Sequence, residues 1–521
     1  MSLTVALLAL QLVACRDDPE DTGLDHTCSD ELDQAYAGAG GDAPEWGSIV
    51  ACDDPLDAVA YQEVGEAWGL QGNPDPDVEH ISGGVLAVDD VDQDGDLDVI
   101  IGYLTSSPVL YLRDGDGFTA TTIETVDGVA VGNQPISLAD LDGDGLRDLV
   151  IAGPPAMLAY NQGGSFLGEL LEIQDSPPLT ELVPGDLDGD GDVDLYGLAS
   201  ASAEGDQRDL LLLQQDDGSW ERVDLEGEVA TGMGFDAVLF DRDRDGDLDV
   251  YVVNDMGADF GGNVLWENQG GTLTDASEAC GCDAVMSGMG VDVGDHDGDG
   301  QPDLYLSATG RNLLYQADGD WLYADVGQST GADPFEDPDE MSWGAVFLDY
   351  DNDGLPDILV AQGDQWHGED PIGVVGDLPI ALLGQTPGGT YEHRAAELGM
   401  DLQGSWRAVV AVDHNGDGVL DPLVTDVTEQ PRLFLSTGCT RNGWLEVEAP
   451  PMARVEICAG GARQVAWATT ESSWGGARPP VVHFGLGDAD RVDRLAIELL
   501  DGTVTYVDEP FEARRSVRVV P

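Results

Sequence analysis

The sequence contains no lysine, and its 20 basic residues, all arginine, stand against 103 aspartates and glutamates. The formal net charge is −83 over 521 residues. This shortage of positive charge excludes whole classes of partner. Phosphate backbones are repelled, and no basic patch or basic–aromatic interleave offers a nucleic-acid interface. Electrostatic docking on anionic lipid is excluded on the same ground. Long apolar runs are also lacking: beyond the N-terminus no stretch of 18 apolar residues occurs, so nothing downstream reads as a spanning helix. Catalytic signatures are sparse, with neither H-E-x-x-H nor a Walker loop. Paired carboxylates are so frequent that they say nothing about acid–base chemistry. The chain reads as a non-enzyme.

Divalent cations are the partners such a charge favours. An acidic, arginine-only surface is also the background of a high-salt or GC-rich proteome. Such a background does not place acids at fixed spacings, and here they are so placed. Apolar residues make up 42%, enough for a large core, and glycine, at 69 residues, is unusually common.

The first residues are an address. Leu3 to Leu12 form an apolar run too short to span a bilayer, ending in Leu12-Val13-Ala14-Cys15 before a sharp turn to polar sequence. This resembles the lipobox of bacterial lipoproteins, which implies a signal peptide over 1–14 and a lipid on Cys15. No Arg precedes Leu3, a departure from the usual leader, and an ordinary signal peptide is the alternative. Residues 15–57 are acidic and rich in Gly, Pro and Ser, and read as a tether. Six cysteines remain: Cys28, Cys52, Cys280, Cys282, Cys439 and Cys458. An even number in an exported chain suggests disulfides. Nearest-neighbour pairing is the simplest scheme, although Cys280 and Cys282 are too close for an easy bridge.

Internal repetition is the informative feature. D-x-D/N-x-D-G-x-x-D occurs seven times, at separations of 50, 46, 55, 54, 54 and 64 residues. Position 1 is Asp90, Asp140, Asp186, Asp241, Asp295, Asp349 and Asp413. Position 3 is Asp92, Asp142, Asp188, Asp243, Asp297, Asp351 and Asn415, and position 5 is Asp94, Asp144, Asp190, Asp245, Asp299, Asp353 and Asp417. Position 9 is Asp98, Asp148, Asp194, Asp249, Asp303, Asp357 and Asp421. Calcium takes six to eight oxygens in a flexible shell. A tight loop turned at the position 6 glycine lets the side chains at 1, 3 and 5 converge. It also aims the position 7 carbonyl inward, that of Asp96, Leu146, Asp192, Asp247, Gln301, Leu355 or Val419. Position 9 closes the site with another carboxylate. Up to seven Ca2+ ions are expected, each stapling two strands. Removing them leaves converged carboxylates that repel.

An EF-hand needs an acid at position 12 and flanking helices. Here position 12 is Ile101, Ile151, Gly197, Val252, Leu306, Val360 or Val424. The exits read DLVIAG, DVYVVN, DLYLSA and DILVAQ, of strand length and apolar. Each repeat continues into a further apolar run and a Gly-rich turn, giving about four strands. Four strands in roughly 50 residues, seven times over, predict an all-β seven-bladed propeller over 58–438. A linear β-solenoid is the alternative.

These repeats resemble FG-GAP/VCBS repeats, the calcium-loop blades of integrin α-subunit heads and many bacterial surface proteins. Tyr61-Gln62-Glu63-Val64, GMGFDAVLFDRDRDGDLDVYVVND and MSWGAVFLDYDNDGLPDILVA resemble the cartilage acidic protein-like family. Residues 439–521 form a small C-terminal β module that resembles the ASPIC/UnbV domain through AGGARQV, His483-Phe484-Gly485-Leu486-Gly487 and Leu500-Asp501-Gly502-Thr503-Val504. The resemblance implies a lipid-anchored extracytoplasmic surface protein that binds an unknown protein or glycan, touching the membrane through its N-terminal lipid only. An exported enzyme working in the propeller channel and a structural envelope component are the alternatives. No Arg-Gly-Asp or D-x-S-x-S motif occurs, so integrin ligand chemistry does not transfer. Among the histidines, His296 and His414 sit at position 2 of their loops and read as solvent-facing filler, and His483 reads as structural.

Overall fold

The computed structural model describes residues 44–519, apart from 53–54, 57, 72–83, 104–106, 124–125, 127–134, 154, 174–176, 200–207, 226, 228–230, 335–339, 364–377, 428 and 472. The leader, Cys15 and Cys28 lie outside the described residues.

Antiparallel four-stranded sheets follow one another along the chain and form seven blades. The first strand of each is innermost: Val85–Asp89, Ile136–Ala139, Leu179–Gly185, Gly234–Phe240, Gly288–Gly294, Ser342–Leu348 and Trp406–Val412. These seven pack side by side around a ring, the last returning to the first. Buried on both faces, such strands read as continuous Val, Leu and Ala runs rather than alternating ones. The first strand of the chain's propeller, Tyr61–Glu63, is the outermost strand of the last blade, with Tyr61 opposite Ser436. Closure thus joins the two ends of the repeat region and removes an exposed sheet edge.

The C-terminal module packs two sheets face to face. One holds Gly443–Glu448, Val481–Gly487 and Arg515–Arg518; the other holds Arg454–Ala459, Ala462–Trp467, Arg491–Glu498 and Val504–Val507. Leu445, Val447, Val455, Ile457, Phe484, Leu495, Ile497 and Val517 fill the space between them. The stretch expected to be a tether contributes to this module. Glu45–Trp46 pairs with Arg518 and Val517, and Trp46 packs edge-on against Phe511. Cys52 is disulfide-bonded to Cys439, so the nearest-neighbour scheme fails for both. Cys280 and Cys282 are bonded after all, around the left-handed Gly281 that ends the helical turn Ser277–Cys280. Cys458 is also in a disulfide.

One module segment leaves its own fold. Gly476–Ala477 runs parallel to Val85–Asp89 on the channel side of blade 1, with Leu86 opposite Gly476 and Ala87 opposite Ala477. Trp474, 3% exposed, reaches across the channel to Phe235 of blade 4 and Trp343 of blade 6, at centroid distances of 5.8 and 5.2 Å. The Arg407 guanidinium lies over the Trp343 ring at 4.1 Å. The protein's own chain thus enters the channel at Trp474.

Candidate metal centre

Each Asp loop joins the innermost strand of a blade to the second. The position 6 glycine adopts φ between +84° and +97° in all seven copies, a left-handed turn that costs glycine nothing. Its N–H donates to Oδ2 of the position 1 aspartate at 2.6–3.1 Å in every loop. The position 7 N–H donates to Oδ1 of position 5 at 2.8–3.0 Å. The backbone is thus wound around its own carboxylates. In blades 1, 4 and 5, carboxylate oxygens of positions 1, 3 and 5 lie within 4.8 Å of one another. In blades 2 and 3, positions 1, 3 and 9 do so.

Position 9 has a second duty that spacing did not reveal. Its Oδ2 accepts the N–H of position 2 at 2.8–3.1 Å in all seven blades. Its Oδ1 accepts an N–H from the third strand at 2.7–2.8 Å. These aspartates are 2% exposed or less. Each one ties loop, second strand and third strand together, whether or not an ion sits in front of it.

That bond turns position 2 inward. His296 and His414 are 5% and 2% exposed, not solvent-facing, and Val91, Leu141, Leu187, Arg242 and Tyr350 are buried at the same place. His296 Nδ1 lies 3.1 Å from Tyr391 Oη, and burial lowers its pKa to about 4. Position 4 was also overlooked. Its residues, Gln93, Gly143, Gly189, Arg244, Gly298, Asn352 and Gly416, all have positive φ. Four glycines and an asparagine among seven were the available signal.

The charge balance of the loops is compatible with a cation. Burial pushes the position 9 carboxyls up, Asp98 and Asp249 to about 7, Asp148 and Asp194 to about 6, and Asp303, Asp357 and Asp421 well above the usual range. Asp295 and Asp349 at position 1 rise well above it too, from burial first and then from the aspartates beside them. Two oxygens inside the clusters, Asp295 Oδ1 and Asp243 Oδ1, are buried without a hydrogen-bond partner. Clustered carboxylates with unshared buried oxygens fit a hard, oxygen-seeking ion.

The module sits on the loops of blades 4, 5 and 6. Arg244 Nη2 bonds Glu498 Oε2 at 2.7 Å, Arg463 Nη1 donates to Asp299 O at 3.3 Å, and Asn442 Nδ2 donates to Asp351 O at 2.9 Å. His483 Nε2 lies 2.6 Å from Asn352 Oδ1, and Gly487 N donates to Asn352 O at 2.9 Å. Between loops and module opens a cleft of about 1320 Å³, bordered by Asp295, Asp349, Asp413, Glu446, Arg463 and His483.

No catalytic grouping emerges among the described residues. One G-x-S-x-G pattern, Gly327 to Gly331, escaped the sequence reading. Its Ser329 hydroxyl donates back to Val326 O at 2.9 Å on an exposed turn, and no histidine bonds to it. The channel, where an enzymatic site was the alternative, holds Trp474.

Comparison with known proteins follows this architecture. The family described as FG-GAP-like repeat matches residues 90–151 and 241–306, and the family described as ASPIC and UnbV matches 453–520. Cartilage acidic protein 1 of Mus musculus is 26% identical over 269 residues, 45% of this chain and 40% of that protein. Its Xenopus tropicalis counterpart is 24% identical over 327 residues, 57% of this chain and 48% of that protein. The chain thus spans less than half the length of these relatives. Solved structures with a similar course include YCF48 from Cyanidioschyzon merolae, with TM-score 0.43 and 10% identity over 72% of this chain and 98% of that one. The V. cholerae biofilm matrix protein Bap1 has TM-score 0.35 and 12% identity over 89% of this chain and 65% of that one. With seven loop-bearing blades closed on themselves and a module docked on the loops, this chain is a β-propeller that carries FG-GAP-like repeats at 90–151 and 241–306 and an ASPIC and UnbV domain at 453–520.

Proposed function

We propose that the protein is a calcium-loaded, non-catalytic binding module of the cell exterior, held to the envelope by a lipid on Cys15. FG-GAP repeats and the ASPIC/UnbV domain are of the extracellular, binding or adhesion type, and cartilage acidic protein 1 carries the same domain. The observation that carries the calcium reading is the pair of buried, unpartnered oxygens, Asp295 Oδ1 and Asp243 Oδ1, inside converging carboxylates. Calcium there would offset two of the negative charges in each loop and fix the strand junction behind it. The module covers the loop face, which leaves the opposite face for a protein or glycan partner. Strand connections alternate between faces, so the second-to-third connection of blade 4 and the turn into blade 5 lie on that free side. There Met256, Phe260 and Val285 are 45%, 38% and 66% exposed. Among the described residues no helix is long and apolar enough to cross a membrane.

The test is calcium stoichiometry and thermal unfolding of the chain from residue 16 onward, which keeps Glu45–Trp46 and Cys52 in place. About one ion per Asp loop and a large loss of stability on chelation are expected. Few ions and no effect of chelator would refute calcium loading. In cells, Cys15→Ala should move the protein out of the membrane fraction, and unchanged retention would refute the anchor.

A further inference from the structure

Where the module's segment enters the ring, three acids meet far from any Asp loop. Glu181 comes from the inner strand of blade 3, Asp236 from that of blade 4, and Glu471 from the inserted segment. They are 1%, 1% and 5% exposed. The Glu181 and Asp236 carboxyls are hydrogen-bonded to each other, and each faces the charge of Glu471. Asp236 Oδ2 also accepts Val291 N at 2.7 Å, and Glu471 accepts from the Ser137 hydroxyl. Burial pushes all three acids up from the ordinary carboxylate range.

These bonds do not satisfy the cluster. Glu181 Oε2 and Glu471 Oε1 are buried with no hydrogen-bond partner. So is Ser473 Oγ, two residues along the segment, 3% exposed and seated against Gly290 beside Val291. The guanidinium that faces the group, Arg478, is bonded to Asp292 Oδ1 at 3.1 Å and Thr469 Oγ1 at 2.7 Å. Its charge also reaches Glu471, but its hydrogen bonds go to Asp292 and Thr469. A proton shared between Glu181 and Asp236 settles that pair alone. It leaves Glu181 Oε2, Glu471 Oε1 and Ser473 Oγ, from two separate parts of the chain, each without a partner. Buried oxygens left unshared are costly, and buried charge is tolerated when paired or on a metal.

We propose that Glu181, Asp236 and Glu471, with Ser473, hold a divalent cation of the calcium class that clamps the module's segment into the propeller channel. The set is all oxygen and mostly anionic, the donor chemistry of calcium rather than of zinc or copper. Its ligands come from two blades and the module, so this ion would join domains, whereas each Asp-loop ion works within one blade.

The test is a crystal of the chain from residue 16 onward grown in calcium, with anomalous diffraction collected at long wavelength. An anomalous peak among Glu181, Asp236 and Glu471 is expected. Its absence overturns the proposal whatever the Asp loops hold, and empty loops with a filled channel would refute the loop reading alone. Native mass spectrometry adds a second readout: Glu471→Gln keeps size and shape and should bind one calcium fewer per chain. An unchanged ion count in that variant also overturns the proposal.

Discussion

Removing the Asp249 carboxyl separates the two duties of the loop acids. Asp249, 1% exposed, accepts Arg242 N at 3.1 Å and Asn268 N at 2.8 Å, both in buried surroundings. It is not among the three blade 4 acids whose oxygens converge, which are Asp241, Asp243 and Asp245. Hydrogen bonds to a charged group contribute about 1.5–3 kcal/mol each, so Asp249→Ala should cost about 3–6 kcal/mol. Asp249→Asn keeps one acceptor and should lose about half as much. Because the partners are backbone groups, the loss should be of similar size in calcium and in chelator. Asp245→Asn is the contrast: it should lower stability and calcium affinity in calcium, and be neutral or mildly stabilising without it. Urea unfolding followed by tryptophan fluorescence, each variant with and without calcium, reads all of these. If the Asp249→Ala deficit disappears in chelator, position 9 works through the ion and the backbone-staple argument is wrong.

Other outcomes follow from the same geometry. In metal-stripped protein the loop acids have folded-state pKa values raised from 3.8, to about 6 for Asp148, Asp194 and Asp241, about 7 for Asp98 and Asp249, and about 8 for Asp413. A raised value means stability that is full below about pH 4 and lost as pH climbs through 6–8. Tm in calcium-free buffer should therefore fall from pH 5 to pH 8.5, and calcium should flatten the slope; a Tm that rises over that range contradicts the burial argument. Trp474→Ala should cost about 3–5 kcal/mol, since it empties the channel between Phe235 and Trp343. A loss under about 1 kcal/mol in urea titration would mean that the segment is not seated there. Cys439→Ser opens a bond spanning 387 residues and should cost about 2–5 kcal/mol; equal urea midpoints for variant and parent would refute it.

What could be read in the sequence was what repeats locally. Seven Asp loops at near-constant spacing, each followed by a strand-length apolar exit, give the blade number and fold class. Within a loop, the positions that need one residue type for a local reason, such as the position 6 glycine, were equally visible. The burial of His296 and His414 was not. It arises from a bond between the position 2 backbone and position 9, which leaves no mark on the side chain at position 2. The channel segment was hidden for a different reason. Glu471 to Pro480 is polar and rich in Gly and Pro, so it resembles a surface loop. Its partners Phe235 and Trp343 come from two blades and no shared motif. Cys52 and Cys439 are adjacent only because the ring closes between them.

That closure also governs how the chain can be made. Tyr61 pairs with Ser436, so the outermost strand of the last blade emerges among the first residues of the folded region. Until residue 436 has left the ribosome or crossed the membrane, the nascent blades form an open arc with an unpaired edge at each end. Pairings so distant in sequence are slow to form, and open edges invite pairing with other chains. A net charge of −83, spread over every blade, makes such arcs repel one another while they wait. The acidity that suits the finished protein to cations thus also serves as its protection during biosynthesis.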